Sequence, residues 1–221
     1  EGEEEGEEEE NEQSGNQAII NQVHGVLNAP MPQVRQLFER FACSDDPSGS
    51  CDARFNFFTR TLWPKLKESV LTGGLLIVIP SYFDFVRLRN WFLLTESESG
   101  LDGSDDVALL SEYNTKKSGQ RERAHFAAGR RRVMLYTERA HFYYRYYIKG
   151  VKDVLFYAPP EHAHYYNEIV NLLGAAGTTA SHATATTIFG KFDFLPLQRL
   201  VGVSRSKRLL MTKDTDTFVF F

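Results

Sequence analysis

The sequence predicts a mostly parallel α/β sheet with helices on both faces. Short runs of branched and large apolar residues, Leu75–Pro80, Val133–Tyr136 and Val154–Tyr157, end at turn chemistry and are too short for buried helices. From Gly73 onward such runs alternate with segments of amphipathic helical spacing, which is the order of a parallel sheet with crossover helices. Ligands on such sheets bind beyond the C-terminal ends of the strands, so three loops matter most: Pro80–Phe83, Thr137–Tyr147 and Ala158–His164.

In chain order, residues 1–16 are acidic and of low complexity, and they bury too little to offset ordering entropy; they are expected to be disordered. Residues 17–72 read as a helical connecting segment. Gln17–Leu27 suits a short helix, stopped near Asn28-Ala-Pro30. Val34, Leu37, Phe38 and Phe41 fall at helical spacing, which predicts an amphipathic helix over Pro32–Phe41. Ser44–Ser50 is a loop. Ala53–Leu71 places Phe55, Phe58, Leu62, Leu66 and Val70 on one face of a helix interrupted at Pro64.

Residues 73–221 form the α/β unit. Gly73-Gly74 introduces the strand that Pro80 closes, and Ser81 is placed to cap a helix over Tyr82–Leu94. An acidic loop follows over Thr95–Asp106, then a strand at Val107–Leu110 and a basic helix at Ser118–Ala128. After the strands at Val133 and Val154, Pro159-Pro160 leads into a helix over Glu161–Leu173. A small-residue turn, Gly174–His182, precedes a strand at Ala185–Phe189, a helix at Leu195–Leu210 and a last strand at Thr217–Phe221.

The net charge of −4 over 221 residues conceals two parts of opposite sign. Residues 1–12 hold nine glutamates and no Lys or Arg; without them 20 acids face 25 bases. A basic body with an acidic tail suggests work on nucleic acid, although a solubilising tail is the commoner case. Cys43 and Cys51 flank a loop and read as reduced thiols rather than a disulfide framework or zinc site. No apolar run approaches the length of a membrane span, and no signal peptide is visible. The chain opens inside an acidic run without Met and reads as a piece of something longer.

Catalytic signatures are missing. The sequence has no G-x-x-x-x-G-K-[ST] phosphate loop, no nucleophile elbow and no H-E-x-x-H. His162 and His164, two apart at a helix start, would point to different sides and do not suggest a metal site. His125 and His141 suit packing or an RNA face better than catalysis, and Asp193 and Glu168 have no visible partner carboxylate. No cofactor, metal or small-molecule substrate is expected.

The richest stretch is Arg121–Pro160. Between Thr115 and Lys152 eleven Lys/Arg face two acids, Glu122 and Glu138. In ERAHFYYRYYIKG, cations alternate with aromatic rings, a mixture suited to phosphate contact and base stacking. Arg139, Arg145 and Lys149 are the candidate phosphate contacts, Tyr143 and Tyr144 the candidate stacking rings, and Arg130, Arg131 and Arg132 further basic candidates. A solvated basic rim on a β-rich core is the plainer alternative.

Longer motifs carry a family resemblance. GGLLIVIPSYFDFVRLRNWF, LLSEY, LYTERAHFYYRYYIKGVKDVLFYAPPEHAHYYNEIVNLL and FGKFDFLPLQRLVGVSRSKRLL resemble the C-terminal half of the digestive-organ expansion factor family, from about Ala53 to the end. These are nucleolar, U3 small nucleolar RNA-associated proteins of the small-subunit processome. The resemblance implies a RecA-like lobe over 73–221, corresponding to the second lobe of DEAD-box helicases. It also implies a nuclear, nucleolar location, with pre-ribosomal RNA, U3 small nucleolar RNA and other processome proteins as partners.

The same comparison implies lost catalysis. An active helicase would follow the Val133 strand with Thr-Asp and then Arg-Gly. Here Thr137 is kept, Glu138 replaces the acid, and Phe142-Tyr143 stand where Arg-Gly would be. Glu161–Gly174, which should supply an arginine finger, contains no arginine, while Gln198–Arg205 resembles a displaced arginine motif. Three functions follow: a non-catalytic RNA- and protein-binding factor in 18S rRNA maturation, the C-terminal lobe of an active ATP-dependent RNA helicase, or a purely protein-binding scaffold.

Overall fold

A computed structural model describes residues 25–28, 34–95, 99–174 and 183–220. The expected acidic tail and the small-residue turn after Gly174 lie outside these residues. So does most of the Gln17–Leu27 helix, whose end is occupied by a 3₁₀ turn at Val26–Asn28.

Seven strands form one sheet: β1 (Arg35–Arg40), β2 (Leu75–Ile79), β3 (Val107–Leu110), β4 (Val133–Thr137), β5 (Asp153–Phe156), β6 (Thr184–Phe189) and β7 (Thr217–Phe220). Their order is β3-β4-β2-β5-β6-β1-β7. All neighbours run parallel except β1 and β7. The central strands β2 and β4 are buried at every residue, as continuous apolar runs require.

Alternate residues of each strand feed separate cores. Leu75, Ile77 and Ile79 pack with Leu135, Leu155 and Tyr157 against α1 (Ser50–Phe57), α2 (Trp63–Val70) and α3 (Tyr82–Leu94). Leu76, Val78, Met134, Tyr136, Val154 and Phe156 form the other core. That face is covered by α5 (Lys116–Ala127), α7 (Ala163–Gly174), α8 (Phe194–Val201) and α9 (Val203–Met211). A short helix, α4 (Gly103–Asp106), precedes β3, and α6 (Glu138–Tyr144) follows β4.

Five expectations are corrected or refined. Pro32–Phe41 is not a helix: Arg35–Arg40 is strand β1, inserted between β6 and β7. The apolar residues of this segment serve both faces, Phe38 one core and Phe41, just past the strand, the other, and spacing alone does not separate this from a helical stripe. The partner that decides, β6, lies far along the chain. The segment before Gly73 therefore contributes a strand to the same sheet.

The helix expected over Ala53–Leu71 is interrupted before Pro64, at a π-helical turn over Phe58–Leu62. Proline offers no N–H to the carbonyl four residues back, which loosens that turn. The helix expected over Leu195–Leu210 is two helices, broken at Gly202, whose φ of 86° suits glycine alone. The expected acidic loop over Thr95–Asp106 contains α4, and the expected loop over Thr137–Tyr147 begins with α6.

Candidate nucleic-acid interface

The candidate site sits where β2, β4 and β5 end. β4 passes directly into α6 because Thr137 caps it: Oγ1 accepts from the Ala140 N–H at 3.2 Å and donates to Glu112 Oε2 at 2.8 Å. Glu138 follows in the first turn, where a carboxylate suits the helix dipole. Its side chain is buried and turns to the neighbouring loop. One oxygen accepts from the Glu161 N–H at 3.1 Å, the other from the His162 N–H at 3.0 Å. Burial pushes the Glu138 carboxyl above the usual carboxylate range, and these two N–H groups oppose the shift.

His141 forms a second brace. It is buried, with Nε2 2.9 Å from Glu168 Oε2 and Nδ1 3.3 Å from the Tyr136 hydroxyl. Neutral imidazole donating to Glu168 and accepting from Tyr136 satisfies both partners. Burial lowers the His141 pKa, against the pull of Glu168. Arg145 ends α6 in the left-handed region at φ 39°. It is held there by its N–H on the His141 carbonyl at 2.9 Å and its guanidinium on Glu168 at 3.2 Å.

With Ala140 and His141 turned inward, α6 presents Arg139, Phe142, Tyr143 and Tyr144 to solvent. The Arg139 guanidinium lies 6.0 Å from the Tyr143 ring centre. A cleft of about 270 Å³ opens between this face and the β5–α7 turn, lined by Arg139, Phe142, Tyr143, Glu161 and His162 with Tyr165 and Pro80. Arg199, on α8, donates to the Glu161 carbonyl at 3.2 Å, which sets a second exposed cation at the turn.

The structure divides the eight residues singled out from sequence. Arg139, Tyr143, Tyr144 and Arg145 gather on α6 at the C-terminal end of the sheet. Arg130, Arg131, Arg132 and Lys149 lie at the opposite end, because the chain returns there to start β5. Gly74, which opens β2, donates its N–H to the Arg132 carbonyl at 3.0 Å, and the Gly150 carbonyl packs against the same glycine. Arg132 is bidentate to Asp106, with Nε 2.6 Å from Oδ1, and Arg131 lies 4.0 Å from both Asp105 and Glu122. These two are engaged in ion pairs.

Phe142, His162 and Arg199 were missed from sequence as members of the site. The signal was position: Phe142 and His162 fall within two of the loops expected to matter, Thr137–Tyr147 and Ala158–His164, but only folding brings Arg199 to Glu161. Among the described residues no group of three or more His, Cys, Asp or Glu is arranged to hold a metal, and no helix is long and apolar enough to cross a membrane.

A family model for the Utp25 C-terminal domain matches residues 26–220. The chain is 40% identical over 207 residues to Protein NUCLEOLAR FACTOR 1 of Arabidopsis thaliana, covering 93% of this chain and 26% of that protein. It is 37% identical over 215 residues to U3 small nucleolar RNA-associated protein 25 of Arthroderma benhamiae, covering 93% and 29%. To the Homo sapiens U3 small nucleolar RNA-associated protein 25 homolog it is 36% identical over 198 residues, covering 88% and 25%. The chain thus spans less than a third of these relatives' length. Among solved structures, the Escherichia coli DEAD-box protein SrmB bound to RraA superposes with a TM-score of 0.52 at 18% identity, over 76% of this chain and 83% of that one. The Saccharomyces cerevisiae Dbp5 bound to RNA and ADP BeF3 gives 0.51 at 15% identity, over 77% and 40%. The fold is that of the second, RecA-like lobe of DEAD-box helicases.

Proposed function

The chain belongs to the Utp25 C-terminal domain family, and from that premise we propose that it is a non-catalytic, RNA-binding pseudo-helicase module of ribosome assembly. Its relatives are named for association with U3 small nucleolar RNA, which supports a nucleolar place in the small-subunit processome and a role in maturing 18S rRNA. Pre-ribosomal RNA and U3 small nucleolar RNA are the proposed nucleic-acid partners.

The observation that carries the RNA reading is the solvent face of α6. Arg139 has no carboxylate within ion-pair distance among the described residues and stands beside exposed Phe142 and Tyr143. A point of positive charge next to π-faces is what a single strand needs. The absence of catalysis is supported by the position after Thr137. There the carboxylate is occupied by the Glu161 and His162 N–H groups, and the helix after them carries no arginine. Without a guanidinium at the γ-phosphate, on the order of a thousandfold or more in rate is lost.

The same arginines and aromatics also suit a protein interface, and the exposed rings Tyr82, Phe83 and Tyr113 near the ends of β2 and β3 favour that second reading. Binding of a single-stranded RNA, measured with and without the Arg139 charge, separates the two. Loss of affinity with a flatter salt dependence supports the RNA site. An unchanged RNA affinity, with loss of an assembly-factor contact, supports the protein site.

A further inference from the structure

We propose that Phe142 and His162 form a slot that takes one unpaired RNA base between their rings. This rests on the RNA-binding reading and adds a site that the basic–aromatic pattern did not contain. The two rings lie 6.5 Å apart, centre to centre, with only 25° between their planes. Two ring–base stacks of about 3.4 Å each need about 6.8 Å, so the two exposed side chains part slightly to admit a base. Both rings line the same cleft of about 270 Å³.

The walls are held independently of any ligand. Phe142 stands on α6, which is fixed by the Thr137 cap beneath it. His162 stands on the turn whose N–H groups are held by Glu138. Beneath them the buried Tyr165 ring meets His162 edge-to-face at 5.0 Å and forms a floor. The backbone of both walls is therefore held before binding, only the two exposed side chains adjust, and little ordering entropy is spent.

Charge sets the orientation of the strand. Glu161 lines the cleft, and a carboxylate there repels phosphate but accepts hydrogen bonds from N–H groups on a base edge. Arg139 lies at one side of the slot and Arg199 at the turn beyond Glu161. The base enters, and the sugar–phosphate backbone stays outside between the two guanidinium groups. Bases that carry an amino group suit Glu161 better than uracil, whose one N–H is flanked by two carbonyls.

The test uses the full chain and a short single-stranded RNA carrying one 2-aminopurine. Stacking between the rings quenches its fluorescence, and binding is followed separately by anisotropy. The expected result is quenching with the native chain, lost in both Phe142→Ala and His162→Ala. Each substitution should weaken binding by about five- to a hundredfold, and Tyr147→Ala, an exposed ring outside the cleft, should change neither signal. Both slot residues are exposed, so the variants should fold. Tight RNA binding with no quenching, or with quenching that survives both substitutions, overturns the slot but leaves the RNA site standing. No RNA binding by the native chain overturns both. If the two variants bind RNA normally and lose only a protein partner, the slot receives a protein side chain and the proposal fails.

Discussion

Glu138 Oε1 accepts a hydrogen bond from the backbone N–H of His162 at 3.0 Å, tying the end of β4 to the turn that opens α7. The other oxygen holds the Glu161 N–H in the same way. One buried carboxylate thus fixes both walls of the cleft. Glu138→Ala should leave two sheltered N–H groups without acceptors and destabilise the chain by about 1–3 kcal/mol in denaturant unfolding. An unchanged unfolding midpoint would show that the turn holds itself.

His141 should make stability depend on pH. Its folded pKa is depressed below the ordinary 6.5, so its contribution is full above that value. As pH falls below it, the unfolded chain takes up the proton first, and stability drops until the folded pKa is passed. Glu168, Arg145, His164 and the Tyr136 hydroxyl surround the ring and shape the curve. The raised pKa of Glu138 works in the opposite sense, native stability gaining as pH falls through it, so the comparison must be between variants. Unfolding free energy measured from pH 7.5 to 5 should fall less steeply in His141→Gln than in the native chain. Parallel curves would contradict the assignment.

A third prediction concerns the opposite face. Arg54 Nη2 reaches both Asp193 oxygens, at 2.6 and 2.7 Å, with both side chains largely buried. Asp193 also accepts from the Gly190 N–H at 2.7 Å, so this pair locks α1 to the end of β6. Arg54→Leu strands a buried carboxylate close to Asp84, whose own pKa burial already raises. The cost should be on the order of 3–5 kcal/mol by chemical denaturation. A loss under about 1 kcal/mol would mean that water reaches Asp193.

These pairs show what the sequence could and could not disclose. The strands at Leu75, Val133 and Val154 were legible because a strand buried on both faces is a continuous apolar run, a local property. β1 was not legible, since its identity depends on β6 and β7, and Phe38 and Phe41 mimic a helical stripe. The partners that Asp193 and Glu168 do have, Arg54 and His141, reach them only in the folded sheet. Composition found the basic–aromatic stretch. It could not say that α6 and the return to β5 carry Arg139 and Lys149 to opposite ends of the sheet.

Catalysis gives a fourth prediction. Steady-state ATP hydrolysis, with and without single-stranded RNA, should not rise above background for this chain. RNA-stimulated hydrolysis abolished by Arg199→Ala or Arg205→Ala would show that the displaced arginines act on phosphate, and that the lobe belongs to a working helicase.

The central claim is that the α6 end of the sheet, and not the Arg130–Arg132 end, is the RNA face. The most direct measurement is the salt dependence of single-stranded RNA affinity for three forms of the chain: native, Arg139→Gln, and the double variant Arg130→Gln with Lys149→Gln. Each phosphate contact adds about 0.7 to the magnitude of the log-affinity against log-salt slope. The account predicts a slope smaller by about 0.7 and weaker binding for Arg139→Gln, with the double variant close to native. A native-like Arg139→Gln beside a double variant with reduced slope and affinity would contradict it and move the RNA to the far end of the sheet.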